Sequence, residues 1–318
     1  MERREQTGIP VLALFGPTAS GKTDILLRLF GPSGLFSRKA EIVSADSMQV
    51  YRGMDIGTAK VSAEEKQGVK HHLLDEKDPD EDYSVAQFQK AVRGKIDEIK
   101  GRGKIPIIVG GTGLYIKSVL YDYEFTEGES RPKSMDEELY GHLDNESLHQ
   151  KLMEVDAESA REIHHNNRKR VIRALEIFEA TGEKKSALVE KQEHRLVYNV
   201  AMIGLTDDRV ALYGRIDQRV DAMMATGLLS EVQALISTGL PENSQSMRAI
   251  GYKELFPYFR KEQGLEEAIS LIKRNSRRYA KRQFTWFKNQ MDVTWFDVNV
   301  EDFSKTVAKV EGYLKDKL

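Results

Sequence analysis

The sequence predicts an α/β fold: a parallel sheet flanked by helices, interrupted by an inserted all-helical domain. Three observations lead there. Gly16-Pro17-Thr18-Ala19-Ser20-Gly21-Lys22-Thr23 fits G-x-x-x-x-G-K-[ST] at every fixed position, between an apolar run, Val11 to Phe15, and Ile25, Leu26, Leu27 and Leu29 at helical spacing. Further strand-like runs, at Ala40 to Ser44 and Ile105 to Val109, alternate with helical patterns. Strand signals then vanish from Tyr123 to about Leu196 and return from Val197 to Leu205, which marks the helical stretch as an insertion. The expected organisation is a discontinuous α/β core of residues 1–122 and 197–318 with an inserted domain of residues 123–196.

The glycine motif is a phosphate cradle, so the core is of the P-loop kind. Gly16 and Gly21 permit backbone angles that turn successive amides inward, and the following helix adds its partial positive charge. Lys22 carries a mobile ammonium to the outer phosphate, and the Thr23 hydroxyl suits a Mg2+ ligand. The motif does not say which phosphate ester sits there.

The chain in order supplies the other candidates. After the first helix Gly31-Pro32-Ser33-Gly34 breaks the pattern, and the strand Ala40 to Ser44 leads to Asp46-Ser47-Met48-Gln49. Ligands gather beyond the carboxyl ends of strands in open α/β sheets, which places Asp46 beside the loop if the two strands are parallel neighbours. Asp46 is equally suited to capping a turn. His71 to Asp75 reads as a short strand, on which adjacent histidines face opposite ways and do not ligate one metal. An amphipathic helix spans Tyr83 to Gly101, with Val85, Phe88, Val92, Ile96 and Ile99 on one stripe and Ser84 as its cap. The strand Ile105 to Val109 ends in Gly110-Gly111-Thr112-Gly113, either a second pocket wall or tight strand-to-helix packing.

Within the insertion, Leu148, Leu152 and Val155, and then Val171, Ile172, Leu175 and Phe178, mark helices. His164 to Arg170, with Arg173 one turn further, forms either an anion-facing edge or a solvated face. Beyond the returning strand come helices over Val210 to Ala225, Leu228 to Ser237 and Leu265 to about Lys288. In the last, Lys273, Arg274, Arg277, Arg278, Lys281 and Arg282 make a dense basic face, interleaved with Tyr279, Phe284, Trp286 and Phe287, suited to a phosphate backbone. Val293 to Val298 reads as a last strand before a terminal helix.

Composition bounds the function classes. The 318 residues contain no cysteine, which excludes disulfides, thiolate nucleophiles and cysteine-based zinc sites. A formal net charge of −2 means that a polyanion must be met by a local basic face rather than a global field. No apolar run approaches the roughly 18 residues of a membrane span, and the N-terminus lacks a signal-peptide pattern, so a cytoplasmic protein is expected.

The ordered segments GPTASGKT from Gly16, DSMQVYRGMDIGTAK from Asp46, HHLLD from His71 and PIIVGGTGLYI from Pro106 resemble the tRNA dimethylallyltransferase family. So do RVIRALEIF from Arg170, RIDQRVDAMMATGLLSEV from Arg215, RAIGYKE from Arg248 and RRYAKRQFTWF from Arg277. The resemblance implies transfer of a dimethylallyl group from dimethylallyl diphosphate to N6 of the adenosine beside the anticodon of tRNA (position 37), with release of pyrophosphate. The residues matching the loop, Gly16, Pro17, Thr18, Ala19, Ser20, Gly21, Lys22 and Thr23, would then hold the diphosphate, with Mg2+ on Thr23. Asp46 looks like the general base, Arg219 and Lys22 like the cations that stabilise the departing diphosphate, and Thr112 like a neighbour of the adenosine.

For the tRNA anticodon stem-loop the resemblance implies contacts from Asp46, Ser47, Met48, Gln49, Thr112, Lys169, Arg170, Arg173, Arg248 and Lys253. Arg274, Arg277, Arg278, Lys281 and Arg282 would follow the backbone of the same tRNA, bound to a monomer of this chain. His165-Asn166-Asn167-Arg168 departs from the family's Asn-Asp-Pro ending, and residues 123–141 align poorly, so the arginine expected to touch tRNA there is matched only loosely by Arg131. Two rivals remain at this point: a P-loop nucleotide or small-molecule kinase with the insertion as its lid, and a nucleotide-switched nucleic-acid binder. The extended basic face suits neither a small acceptor nor a lid. For the binder, no Asn-Lys-x-Asp element selects guanine.

Overall fold

A computed structural model describes residues 9–125, 133–191, 194–299 and 301–318. The chain divides into two compact units, residues 1–121 with 196–318, and residues 122–195.

The larger unit holds β1 (Val11–Phe15), α1 (Lys22–Phe30), β2 (Ala40–Ser44), β3 (His71–His72), α2 (Val85–Gly101), β4 (Ile105–Gly110) and α3 (Gly113–Leu120). The smaller unit holds α4 (Lys133–Tyr140), α5 (Asn145–Val155), α6 (Ala157–Glu162), α7 (Arg168–Thr181) and α8 (Lys185–Glu190). The larger unit then resumes with β5 (Val200–Thr206), α9 (Arg209–Ala225), α10 (Leu228–Ser237), α11 (Phe256–Phe259), α12 (Leu265–Gln290), β6 (Thr294–Asp297) and α13 (Phe303–Lys315).

The strands form one parallel sheet in the order β3-β2-β4-β1-β5-β6. Strand β1 is central and buried along its whole length, as a continuous apolar run with helices on both faces requires. Its side chains alternate: Val11, Ala13 and Phe15 join the core containing α2, α3, α10 and α12, while Leu12 and Leu14 join the core with α1 and α13. Register pairs Phe15 with Gly110 on one side and Gly204 on the other, so β1 and β4 end level and β5 runs two residues further. That edge carries the loops described below.

Strand β4 separates β1 from β2, so the strand bearing Asp46 is not the direct neighbour of the strand bearing the phosphate loop. The crossover through α1 skips one position, and Asp46 still reaches the same edge because β2 pairs with β4 in parallel. The strand expected over His71 to Asp75 is only His71–His72, because Leu73 and Asp75 take left-handed backbone angles that end the pleat. The two histidines do part company: His71 Nδ1 meets the Val69 carbonyl at 2.8 Å, and buried His72 meets Glu41 at 2.7 Å. Ser84 caps α2 in a reciprocal box with Gln87.

The smaller unit is helical among its described residues, with a core of Tyr140, Leu148, Leu152, Ala160, Ile163, Val171, Ala174 and Leu175. Buried Asp156 caps α6 at Ser159 and accepts from the Ser186 hydroxyl at 2.7 Å, tying α8 to α6. Burial opposes its ionisation, and the hydrogen bonds from Ser159 and Ser186 outweigh that, holding the carboxyl at about 2.

Candidate functional site

Every side chain of the cavity described here belongs to the larger unit. After β1 the chain turns through residues 16–21 into α1. Gly21 has φ 83°, a left-handed angle that a side chain would strain. At Gly16 a Cβ would stand 2.6 Å from the Ser20 hydroxyl. Lys22 Nζ donates to the carbonyls of Gly16 at 2.9 Å and Pro17 at 2.8 Å, so the ammonium is folded over the loop. Burial and then the nearby Arg219 charge lower it to about 7, partly offset by Asp46.

A cavity of about 670 Å³ opens over this loop, within the usual range for small-molecule sites. Thr18, Ala19, Ser20, Gly21, Lys22 and Thr23 line one side of it, whereas Gly16 and Pro17 lie behind the surface and shape the turn. Asp46 lines it too. Its carboxylate accepts from the Met48 N–H at 2.9 Å, with the Gln49 N–H a second backbone donor to it, so the turn-capping reading is correct as far as it goes. Burial raises its pKa above the ordinary carboxylate value, against the pull of Met48, Lys22 and Arg219. Gln49 is fixed on both sides: the Ser44 hydroxyl donates to its Oε1 at 2.9 Å, and its Nε2 donates to the Thr58 and Ala59 carbonyls at 3.2 and 3.3 Å.

The glycine turn after β4 forms a second wall through Gly110 and Gly111. Thr112 stands just behind it and accepts from the Ser47 N–H at 3.4 Å. Helix α12 closes the wall. It is anchored on the sheet by Phe287, which stacks on Phe15 at the end of β1 with ring centroids 4.7 Å apart. Losing a buried phenylalanine of this kind costs about 3–5 kcal/mol. One and two turns before Phe287, the same stripe brings Gln283 and Tyr279 to the cavity. Gln283 is buried and donates to the Gly111 carbonyl at 3.0 Å. Tyr279 is raised to about 12 by burial and then by Asp46, while hydrogen bonding to Thr112 and Gln283 pulls the other way.

Helix α9 contributes Arg219 and, four residues earlier, Arg215, both on the cavity. The combination of an amide-lined loop, three cations and a carboxylate biased toward holding a proton can neutralise a departing anion while accepting a proton from its attacker.

Of the residues predicted to meet nucleic acid, Met48, Gln49, Arg248, Lys253 and Arg282 line the cavity, with Ser47 and Thr112 immediately behind it. Arg274, Arg278 and Lys281 are exposed on α12. Arg277 is ion-paired with Asp217 of α9, and Lys273 with Asp221 at 2.6 Å, so part of the basic stripe holds two helices together. Lys169, Arg170 and Arg173 lie on the first two turns of α7 in the smaller unit, where Arg173 pairs with Glu176 at 3.0 Å. Arg131 lies outside the described residues. No group of three metal-ligating His, Cys, Asp or Glu side chains occurs among the described residues. There is also no helix among them long and apolar enough to cross a membrane.

Sequence reasoning missed Tyr279 and Gln283 as cavity residues, and Arg215 and Glu231 altogether. Gln283 did leave a signal, since it is the polar member of a stripe otherwise made of Ala268, Ile272, Ala280 and Phe287. Glu231 left none. Its carboxylate accepts from the N–H groups of Asp55, Ile56 and Gly57 at 2.9, 2.7 and 3.0 Å and from the Tyr252 hydroxyl at 2.6 Å, clamping the loop that holds Gln49.

The IPP transferase family model matches residues 49–290. A tRNA dimethylallyltransferase of Bacillus cytotoxicus is 55% identical over 310 residues, covering 97% of this chain and 95% of that protein. The full-length tRNA isopentenylpyrophosphate transferase of Bacillus halodurans is similar in structure, with a TM-score of 0.70 and 45% identity over 97% of this chain and 96% of that one. A eukaryotic dimethylallyltransferase described as acting on tRNA gives a TM-score of 0.82 at 28% identity, covering 95% of this chain and 77% of that one.

Proposed function

The chain belongs to the IPP transferase family, and from that premise we propose that it transfers a dimethylallyl group from dimethylallyl diphosphate to N6 of adenosine 37 of tRNA. The observation that carries the reading to this site is the shared cavity, where the phosphate loop, Arg219 and Asp46 face one another. The donor diphosphate lies in the loop. The N6 lone pair forms a bond to C1 of the dimethylallyl group as the bond from C1 to the diphosphate oxygen breaks, and pyrophosphate leaves.

An exocyclic adenine amine is a weak nucleophile because its lone pair is delocalised. Asp46 takes the N6 proton, assistance typically worth about 10²- to 10⁴-fold. Lys22 and Arg219 stabilise charge that accumulates on the diphosphate as the bond breaks. The Thr23 hydroxyl on the cavity wall, together with diphosphate oxygens, makes the hard oxygen donor set that suits Mg2+. When bound there, Mg2+ supplies further neutralisation of the leaving group. Thr112, behind Ser47, steadies the wall against which the adenosine rests.

The acceptor is the anticodon stem-loop, whose unpaired adenosine leaves its stack at low cost. Asp46, Ser47, Met48, Gln49, Arg248 and Lys253 meet it at the cavity. Arg274, Arg277, Arg278, Lys281 and Arg282 follow its backbone, and the domain of residues 123–196 adds Lys169, Arg170 and Arg173. The working form is a cytoplasmic monomer.

The test is incubation with Mg2+, unmodified tRNA and dimethylallyl diphosphate, followed by mass spectrometry of digested nucleosides, with ATP replacing the prenyl donor as control. An isopentenyl adenosine peak that requires the diphosphate is the expected result. Its absence, with ATP consumed when small acceptors are supplied, would return the kinase reading.

A further inference from the structure

Resting on the reading that the loop holds a diphosphate, we propose that Arg215 is a further diphosphate-binding residue, presenting Nη1 to the anion beside Ala19 and Ser20. Arg215 and Arg219 stand at i,i+4 on α9, the spacing that puts two side chains on one helix face. Both line the cavity. The Arg215 guanidinium is held on two of its three nitrogens. Nε donates to the Ala19 carbonyl at 3.0 Å, and Nη2 is ion-paired with Asp207, just beyond the end of β5.

The third nitrogen is the informative one. Nη1 is buried and has no hydrogen-bond partner among the described residues, and the Ser20 hydroxyl, one residue along the loop from Ala19, is in the same condition. Leaving a buried donor unmet is unfavourable, and more so when it is charged. A guanidinium donates only, so the group that relieves it is an acceptor, and its planar fork suits an oxyanion. Two fixed nitrogens restrict the guanidinium, so only a small shift of the cavity wall is needed for the third to meet an anion. Asp207 thus positions Arg215, while Arg215 itself touches the ligand.

The test is calorimetric titration of pyrophosphate, with Mg2+ present, into the full chain and its R215K and D207N variants, with tRNA affinity measured in parallel. Lysine keeps the charge, but its single nitrogen cannot span Ala19, Asp207 and an anion as the three nitrogens of the planar fork do. Loss of one charge-assisted hydrogen bond predicts about tenfold weaker pyrophosphate binding in R215K, with tRNA affinity within about twofold. D207N, which keeps the guanidinium, is expected to lose less than about threefold.

Unchanged pyrophosphate affinity in R215K, or an equal loss in D207N, overturns the proposal in favour of a structural strut. For a variant that does not fold, the unaltered chain gives the answer by NMR of the arginine side-chain N–H groups. Saturating pyrophosphate is expected to shift the Arg215 guanidinium resonances, and unshifted resonances overturn the proposal. A chain that binds no pyrophosphate at all overturns the reading of the loop itself, and this inference with it.

Discussion

The Ser47 backbone N–H donates to the Thr112 hydroxyl at 3.4 Å, tying the loop after β2 to the turn after β4. Asp46 is the residue next to that tie. Thr112→Val keeps the side-chain shape and removes the acceptor, a change worth about 1 kcal/mol for a neutral hydrogen bond. Turnover is expected to fall about fivefold, with stability lowered by no more than about 1 kcal/mol. Single-turnover kinetics and urea denaturation check both, and full turnover in the variant would mean that the tie is idle.

Lys22 makes the free protein's stability depend on pH. Its amine is lowered from 10.5 to about 7 in the folded chain, mainly by burial. Below about pH 7 the amine is charged in both states and the cost of burying it is felt in full. Between that value and the ordinary lysine value the unfolded chain holds a proton that the folded chain does not, so stability rises with pH across this window. Lys22→Met is expected to flatten that rise in melting temperature. A bound diphosphate supplies the opposite charge, so pyrophosphate binding at pH 8 is expected to take up as much as about one proton. Calorimetry in two buffers of different ionisation enthalpy measures it, and no uptake would contradict the assignment.

The sheet and the loop were legible because each announces itself locally. A buried run such as Val11 to Phe15 has few other fates, and the glycine motif has a fixed spacing. Strand order was not, since nothing in Ala40 to Ser44 says that β4 will come between it and β1. The basic face of α12 was read correctly as charge and incompletely as contact. Arg277 and Lys273 are engaged by Asp217 and Asp221, acids some 50 to 60 residues earlier in the chain. The Glu231 clamp is invisible for the same reason: its partners are backbone amides about 175 residues away, and amides carry no sequence signature.

Glu231→Gln places an amide where three N–H groups and a tyrosine hydroxyl point. Hydrogen bonds to a charged acceptor are each worth about 1.5–3 kcal/mol, so a stability loss of about 2 kcal/mol is expected. Gln49 loosens with the loop, so KM for tRNA is expected to rise more than KM for dimethylallyl diphosphate. Denaturation and steady-state kinetics distinguish this from a variant that loses stability alone.

The paired and unpaired arginines of α12 should differ in how they respond to salt. Arg278→Gln is expected to lower the slope of log affinity for tRNA against log salt by about one. Arg277→Gln, whose charge already faces Asp217, should lower it less. Filter binding across a salt series measures both, and equal slopes would show that the Asp217 pair opens when tRNA binds.

The central claim is that Asp46 accepts the adenine proton while the loop and Arg219 hold the leaving diphosphate. Its most direct test is the single-turnover rate of prenyl transfer by Asp46→Asn, measured beside tRNA affinity across pH. With its pKa raised by burial, the carboxylate is protonated more readily than usual, so the unaltered chain gains rate as pH rises through that value. The variant should lose that limb and about 10²-fold or more in rate, with tRNA affinity within about threefold. A variant within threefold of the original rate, with the same pH limb, would contradict the account.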